Sequence, residues 1–287
     1  MTGFESAART PNAMPASPDT LLPAVTRLAE GAGTAILEIY NTDFEVSEKA
    51  DTSPLTAADL AAHRHIVAGL HEITPDIPIL SEESNAIAFS ERSRWGRYWL
   101  VDPLDGTKEF VKRNGEFTVN IALIDEHRPV LGVVHAPVLG LTYRAAADTG
   151  SFRDDLPHNE RLTPIRTSPV QTPPRVIGSR SHGSSGMAAF LEAVGEHTLE
   201  SIGSSLKFCR VAEGQADVYP RFGPTSEWDT AAAQCVVEQA GGAVIDLKGR
   251  ELRYNTRDSI LNPYFLVCGD PAGGWIDKVP ASLGEVS

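Results

Sequence analysis

Four short apolar segments follow one another at residues 98–101, 117–124, 130–136 and 141–145, each bounded by Gly, Pro, Asp or Glu. The last three are too closely spaced for crossover helices, so they predict neighbouring antiparallel strands. A Pro-rich, charged stretch at residues 151–174 reads as a linker or excursion. Beyond it, strand-like segments (175–178, 198–202, 243–246, 265–268) alternate with helical ones (186–194, 206–212, 230–240). Such alternation marks an α/β layer. Upstream, Leu21, Leu22, Val25, Leu28, Ala32, Ile36 and Ile39 recur at helical spacing behind a cap at Asp19 or Thr20. A second helix starts at Thr56, with Leu60, Ile66, Val67 and Leu70 on its apolar side. Residues 77–80 read as a short buried strand. The fold class is α/β (α+β), with a tail at 1–18, an α+β domain at 19–165 and an α/β domain at 166–287.

The chain has 25 Lys+Arg against 38 Asp+Glu, a net charge of −13. Phosphate neutralisation dominates binding to nucleic-acid polymers, so they are excluded as partners. Anionic membranes and phosphorylated metabolites are repelled too, unless a cation intervenes. No run of 18 apolar residues predicts a membrane span. The start of the chain lacks the basic and apolar regions of a signal peptide, which leads us to expect a cytoplasmic protein. Cys209, Cys235 and Cys268 are odd in number and widely spaced, suiting a reducing compartment rather than a disulfide framework or zinc site.

Three acidic clusters stand where apolar elements end or helices begin: Ser81-Glu82-Glu83-Ser84, Asp102-Pro103-Leu104-Asp105-Gly106-Thr107 and Glu227-Trp228-Asp229-Thr230. Pro103 and Gly106 make the second read as a tight turn that points two carboxylates into one volume. Two like charges at about 4 Å cost about 4 kcal/mol at an effective dielectric near 20, and a divalent cation would reverse that penalty. All-oxygen ligation favours Mg²⁺, Mn²⁺ or Ca²⁺. If a helix begins at Gly106-Thr107-Lys108, its unpaired N–H groups offer a phosphate seat. Taken singly, Asp102, Asp105 and Asp229 equally suit turn and helix caps, and Glu82 a solvated strand end. Their joint occurrence carries the metal and phosphate reading.

These three clusters resemble the signatures of the inositol monophosphatase superfamily. The block from Arg97 to Phe110, the run Asn114-Gly115-Glu116-Phe117-Thr118-Val119-Asn120, the segment from Ile202 to Cys209 and the run from Tyr219 to Thr225 resemble its CysQ-type 3′(2′),5′-bisphosphate nucleotidase branch. The resemblance spans residues 21–268 and implies a layered αβαβα sandwich of the inositol monophosphatase and fructose-1,6-bisphosphatase type. It implies a lithium-sensitive, magnesium-dependent phosphatase linked to sulfate assimilation. Its substrate would be adenosine 3′,5′-bisphosphate, cut to AMP and phosphate, with 3′-phosphoadenylyl sulfate as a second substrate. By the same resemblance Glu82, Asp102, Asp105, Asp229 and the Leu104 carbonyl hold two or three Mg²⁺ ions, with Mn²⁺ as a substitute. Gly106 and Thr107 seat the scissile phosphate. Peripheral association with the cytoplasmic face of the inner membrane is a further implication, although the sequence has no anchor.

One departure narrows the assignment. The resemblance to inositol phosphatases calls for an Asp three residues before Thr56, where this chain has Ser53. The nucleotidase branch instead resembles Lys49-Ala50-Asp51-Thr52-Ser53-Pro54, which makes Asp51, with Thr107, the water-activating pair. Ser204, Lys207 and Arg221 match the second-phosphate set of eukaryotic nucleotidases, and Arg suits phosphate through its paired donors. His182 is either an adenosine contact or a surface histidine. Two rivals remain at this point: a broad inositol or sugar phosphatase, and a phosphonucleotide sensor that binds without turnover.

Overall fold

The computed structural model describes residues 16–42, 54–84, 86–155, 162–179 and 185–284. Helices α1 (Pro18–Tyr40) and α2 (Pro54–Ile73) come first. α1 begins ahead of the expected cap: Ser17 holds the cap position and Pro18 the first turn, where a missing N–H costs nothing. Thr20 Oγ1 instead donates to Ser17 O at 2.8 Å. Strand β1 (Ile79–Ser81), helix α3 (Phe89–Arg92), strand β2 (Arg97–Asp105) and helix α4 (Thr107–Val111) follow. Then come β3 (Thr118–Asp125), β4 (Arg128–Ala136), β5 (Leu141–Ala146), β6 (Gly150–Asp155) and β7 (Thr163–Pro164).

These seven strands form one sheet in chain order. β1 and β2 are parallel, and every later pair is antiparallel, as the close spacing predicts. The supposed linker is partly strand, because β6 pairs along the whole of β5. Its buried positions are Ser151 and Asp154, so no apolar alternation announced it.

The second sheet takes β8 (Arg175–Ser179), β9 (Thr198–Ile202), β10 (Val218–Arg221), β11 (Ala243–Asp246) and β12 (Phe265–Cys268), in the order β11-β12-β10-β8-β9. Helices α5 (Ser185–Val194), α6 (Leu206–Ala212) and α7 (Ala231–Gln239) interleave with them. β10 was not expected, since Pro220 argues against an inner strand. The strand tolerates it because β10 meets β8 only at Val218, while its four residues all pair with β12.

Strand alternation then builds the layers. Trp99, Val101, Val119, Ile121 and Val133 face α1 and α2 in one buried core. Tyr98, Leu100, Ala122, Ile124 and Val134 face the other way, into a core shared with α6, α7 and Ile177, Tyr219, Phe265 and Val267 of the second sheet. Val176, Val218 and Leu266 look outward onto Phe190 of α5 and onto Trp275. The order is helix, sheet, helix, sheet, helix. Gly132 on β4 lets α7 lie close: a Cβ there would stand 2.2 Å from the Ala232 carbonyl oxygen.

Candidate active site

Asp102 and Asp105 are brought together by a counting irregularity in β2. In an unbroken strand, residues three apart point to opposite faces. Here Asp102 pairs with Asn120 and Asp105 with Thr118, so β2 advances three residues while β3 advances two. The extra residue is a β-bulge, and it returns Asp105 to the face of Asp102. The expected tight turn is therefore a bulged strand that continues through Pro103 and Leu104. The Leu104 N–H donates to Asp102 Oδ1 at 3.0 Å, which fixes that carboxylate. The Leu104 side chain is buried in the core toward α1 and α2, so its backbone is what it offers the cleft.

The shared face looks into the central helical layer, where α6 and α7 begin. Asp229 stands just before α7, with its Oδ2 accepting the Ser226 N–H at 3.0 Å. One carboxylate oxygen each from Asp102, Asp105 and Asp229 lies within 4.8 Å of the others. Ser205, at the cap position of α6, donates to Asp105 Oδ2 at 3.0 Å and to the Asp229 carbonyl at 2.8 Å. Glu82 follows β1, its N–H donating to Val101 O at 3.1 Å, and its side chain contacts Asp102. On the other flank Gly106 caps α4 with φ of 101°. A Cβ there would lie 3.1 Å from the Phe117 Cα, so both conformation and space demand glycine. The Phe110 N–H returns to Gly106 O at 2.9 Å, leaving the earlier N–H groups of the turn, near Thr107, without acceptors in the helix.

Glu82, Asp102, Leu104, Asp105, Gly106, Thr107, Ser205 and Asp229 line a cleft of about 260 Å³, which Ser204, Lys207, Tyr219, Arg221 and Thr225 close from the second sheet's side. Lys207 is buried, its ammonium donating to the carbonyls of Ser204 and Ile202 and lying 5.5 Å from the Tyr219 ring centre. Burial lowers its pKa to about 8, against the pull of Asp105. Ser204 has φ of 45°, rare for a residue with a side chain, and its buried hydroxyl has no protein partner. Arg221 is held at the rim, Nε donating to Thr225 Oγ1 at 2.6 Å and Nη2 to Pro224 O at 2.7 Å. Asp51 and His182 lie outside the described residues.

Electrostatics set the character of the cluster. Burial, then Asp105, raises the Asp102 carboxyl well above the ordinary range, and the same two causes act on Asp229. Burial raises Asp105 as well, opposed by Lys207 and Ser205. A further acid belongs here that sequence reasoning missed. Asp59 on α2 is raised to about 8 by burial and by Glu83 and Glu82, and its Oδ1 is buried with no partner. Its charge also bears on Asp102. Its sequence signal is slight: an acid beside the buried Ala58 and Ala62 on the helix face that packs inward. An all-oxygen set of mutually repelling carboxylates suits a hard divalent cation, so the residues present fit magnesium.

Residues 17–270 match the Inositol monophosphatase family. The chain belongs to the inositol monophosphatase family. Within that family, the 3′(2′),5′-bisphosphate nucleotidase CysQ of Escherichia coli (strain K12) is 51% identical over 249 residues, 86% of this chain and 99% of its own. The nucleotidase of the same name from Haemophilus influenzae is 37% identical over 256 residues, 89% of this chain and 95% of its own. The crystal structure of CysQ from Bacteroides thetaiotaomicron superposes with a TM-score of 0.77 at 43% identity, covering 85% of this chain and 95% of that one. An inositol monophosphatase from Anabaena shares the fold, with a TM-score of 0.72 at 24% identity over 91% of this chain and 97% of that one.

Proposed function

We propose that this chain is a magnesium-dependent 3′(2′),5′-bisphosphate nucleotidase that hydrolyses the 3′-phosphate of adenosine 3′,5′-bisphosphate to give AMP and phosphate. The observation that carries the reading is one cleft lined by charges of both signs. Asp102, Asp105 and Asp229 gather in it, and Arg221 and Lys207 line it from the second sheet. Such a cleft suits a ligand with two separated phosphates, and the nucleotidase relatives act on substrates of that kind. Glu82, Asp102, Asp105, Asp229 and the Leu104 carbonyl would hold Mg²⁺, two or three ions in all, with Mn²⁺ as a substitute. Bound there, the metal would neutralise the carboxylates, polarise the phosphoryl group and acidify water.

The protein's own residues do the rest. The N–H groups at the start of α4 receive the phosphoryl oxygens, and Thr107 orients the attacking water. Asp59, bonded to Glu83 and with its other carboxylate oxygen unpartnered, takes the water proton as the oxygen attacks phosphorus. We assign it that work alongside Asp51, the carboxylate named from the sequence. The bond from phosphorus to the ribose O3′ breaks, that oxygen takes its proton from solvent water, and Asp59 later gives the proton it took back to solvent. Ser204 and Arg221 receive the second phosphate. Lys207, already bonded to two carbonyls, shapes the Ser204 turn and balances Asp105.

The test is phosphate release from adenosine 3′,5′-bisphosphate, 3′-phosphoadenylyl sulfate and inositol 1-phosphate, with and without Mg²⁺, and with added lithium. The reading expects the bisphosphate to lead, background rates without metal, and inhibition by lithium. Preference for inositol 1-phosphate would favour the broad phosphatase. Background rates on all three with metal present would favour the sensor.

A further inference from the structure

Asp229 reaches the cleft from a turn at residues 225–230, and Asn262 grips that turn from behind. The Asn262 N–H donates to Thr225 O at 2.9 Å. Its side-chain Nδ2 donates to Ser226 O at 2.9 Å and to Thr230 Oγ1 at 3.0 Å. These bonds fall on both sides of Asp229. The gripped residues also hold the cleft's working groups. Ser226 N–H donates to Asp229 Oδ2 at 3.0 Å, and Thr225 Oγ1 accepts from Arg221 Nε at 2.6 Å. Around Asn262 the backbones run together: Ser226 and Leu261 form a bridge, and Glu227 N–H donates to Ile260 O at 2.8 Å. A primary amide suits this place because it supplies two donors from one planar group.

We propose that Asn262 is a positioning residue whose side chain, outside the cleft, holds the turn that carries Asp229 and so sets metal affinity. The inference rests on reading Asp229 as a metal ligand. Groups that orient a ligand matter because small displacements of a ligand weaken the ion's hold. Truncation at Asn262 removes the side-chain bonds on both sides of Asp229, while the backbone bond to Thr225, the partner of Arg221, stays.

The experiment compares Asn262→Ala with the wild-type chain by calorimetric titration of Mn²⁺ in the absence of substrate. KM and kcat for adenosine 3′,5′-bisphosphate at saturating metal, and melting by circular dichroism, complete it. The expected result is Mn²⁺ affinity weakened by about 10- to 100-fold. KM and kcat at saturating metal change less, because the backbone bond that holds Thr225 beside Arg221 is kept. Unchanged Mn²⁺ affinity overturns the proposal, as does a fall confined to kcat and melting temperature. Should Asn262→Ala fail to fold, Asn262→Ser removes both amide bonds at a smaller loss of volume and must weaken Mn²⁺ in the same way. Asp229→Asn separates the two readings. If it binds Mn²⁺ as the wild type does, the metal assignment fails and this inference with it. If it loses Mn²⁺ while Asn262→Ala keeps it, the inference alone fails.

Discussion

Asp102 is 1% exposed and shares its surroundings with Asp105, Glu82, Asp229 and Asp59. Asp102→Asn keeps the shape and removes the charge, and turnover should fall at least about 100-fold, the scale of losing a preorganised charge. Phosphate release across a Mg²⁺ series checks this. Asp59 and Asp51 make a paired prediction. Loss of a general base costs roughly 100- to 10,000-fold, and we expect Asp59→Asn to show it. Asp51→Asn should fall by less, and the reverse order would return the role to Asp51. Glu82, Asp102, Asp105 and Asp229 were legible because each stands where an apolar element ends or a helix begins, and a buried element emerging with a carboxylate stands out. Asp59 was not, because it sits inside a helix, where an acid normally means the solvent side. Only the packing of α2 beside the residues after β1 turns it inward.

Elements show the same division. The antiparallel run from β2 to β5 and the alternation of the second half were readable, since both write themselves as apolar periodicity. β6 was hidden by polar buried residues and β10 by Pro220. The bulge in β2 was hidden for another reason: it is a mismatch between two strands, and neither strand alone records it. Gly132 carries an element-scale prediction. A methyl group there would sit 2.2 Å from the Ala232 carbonyl oxygen and 2.9 Å from the Cys235 Cβ. Backbone cannot swing aside, so Gly132→Ala must push α7 away from β4. Overpacking of this kind costs about 1–3 kcal/mol, readable as a lower urea midpoint. Because Asp229 precedes α7, the Mg²⁺ concentration for half-maximal rate should rise as well. A destabilised variant with an unchanged magnesium requirement would separate α7 placement from the site.

For the whole molecule, the raised carboxyls predict how stability depends on pH when metal is stripped away. Asp59, at about 8, and Asp102, Asp105 and Asp229, raised in the same direction, keep protons that the unfolded chain releases near pH 4. Their contribution is full below about pH 4 and is lost as pH rises through the folded values. His135, lowered to about 4 by burial, acts oppositely, but its effect ends near pH 6.5. Lys207, lowered to about 8, adds stability only above that pH. Between about pH 6.5 and 8 the chelator-treated protein should therefore melt at falling temperatures, and saturating Mg²⁺ should abolish the fall. A flat or rising melting temperature without metal would contradict this. The −13 net charge takes on a narrower meaning in the same light, since part of the acid excess is gathered where a bound cation would reverse its sign locally.

The core shared by both sheets has one more consequence. Leu100 and Val134 from one sheet and Tyr219 and Val267 from the other are buried in a single cluster with α6 and α7. A close-packed slab of that kind joins its two faces rigidly and leaves no hinge between them among the described residues. Nucleotide must enter and leave by local movements at the rim, without jaws that open and shut. Small-angle scattering should accordingly give the same radius of gyration for the empty protein and for the protein saturated with metal and product.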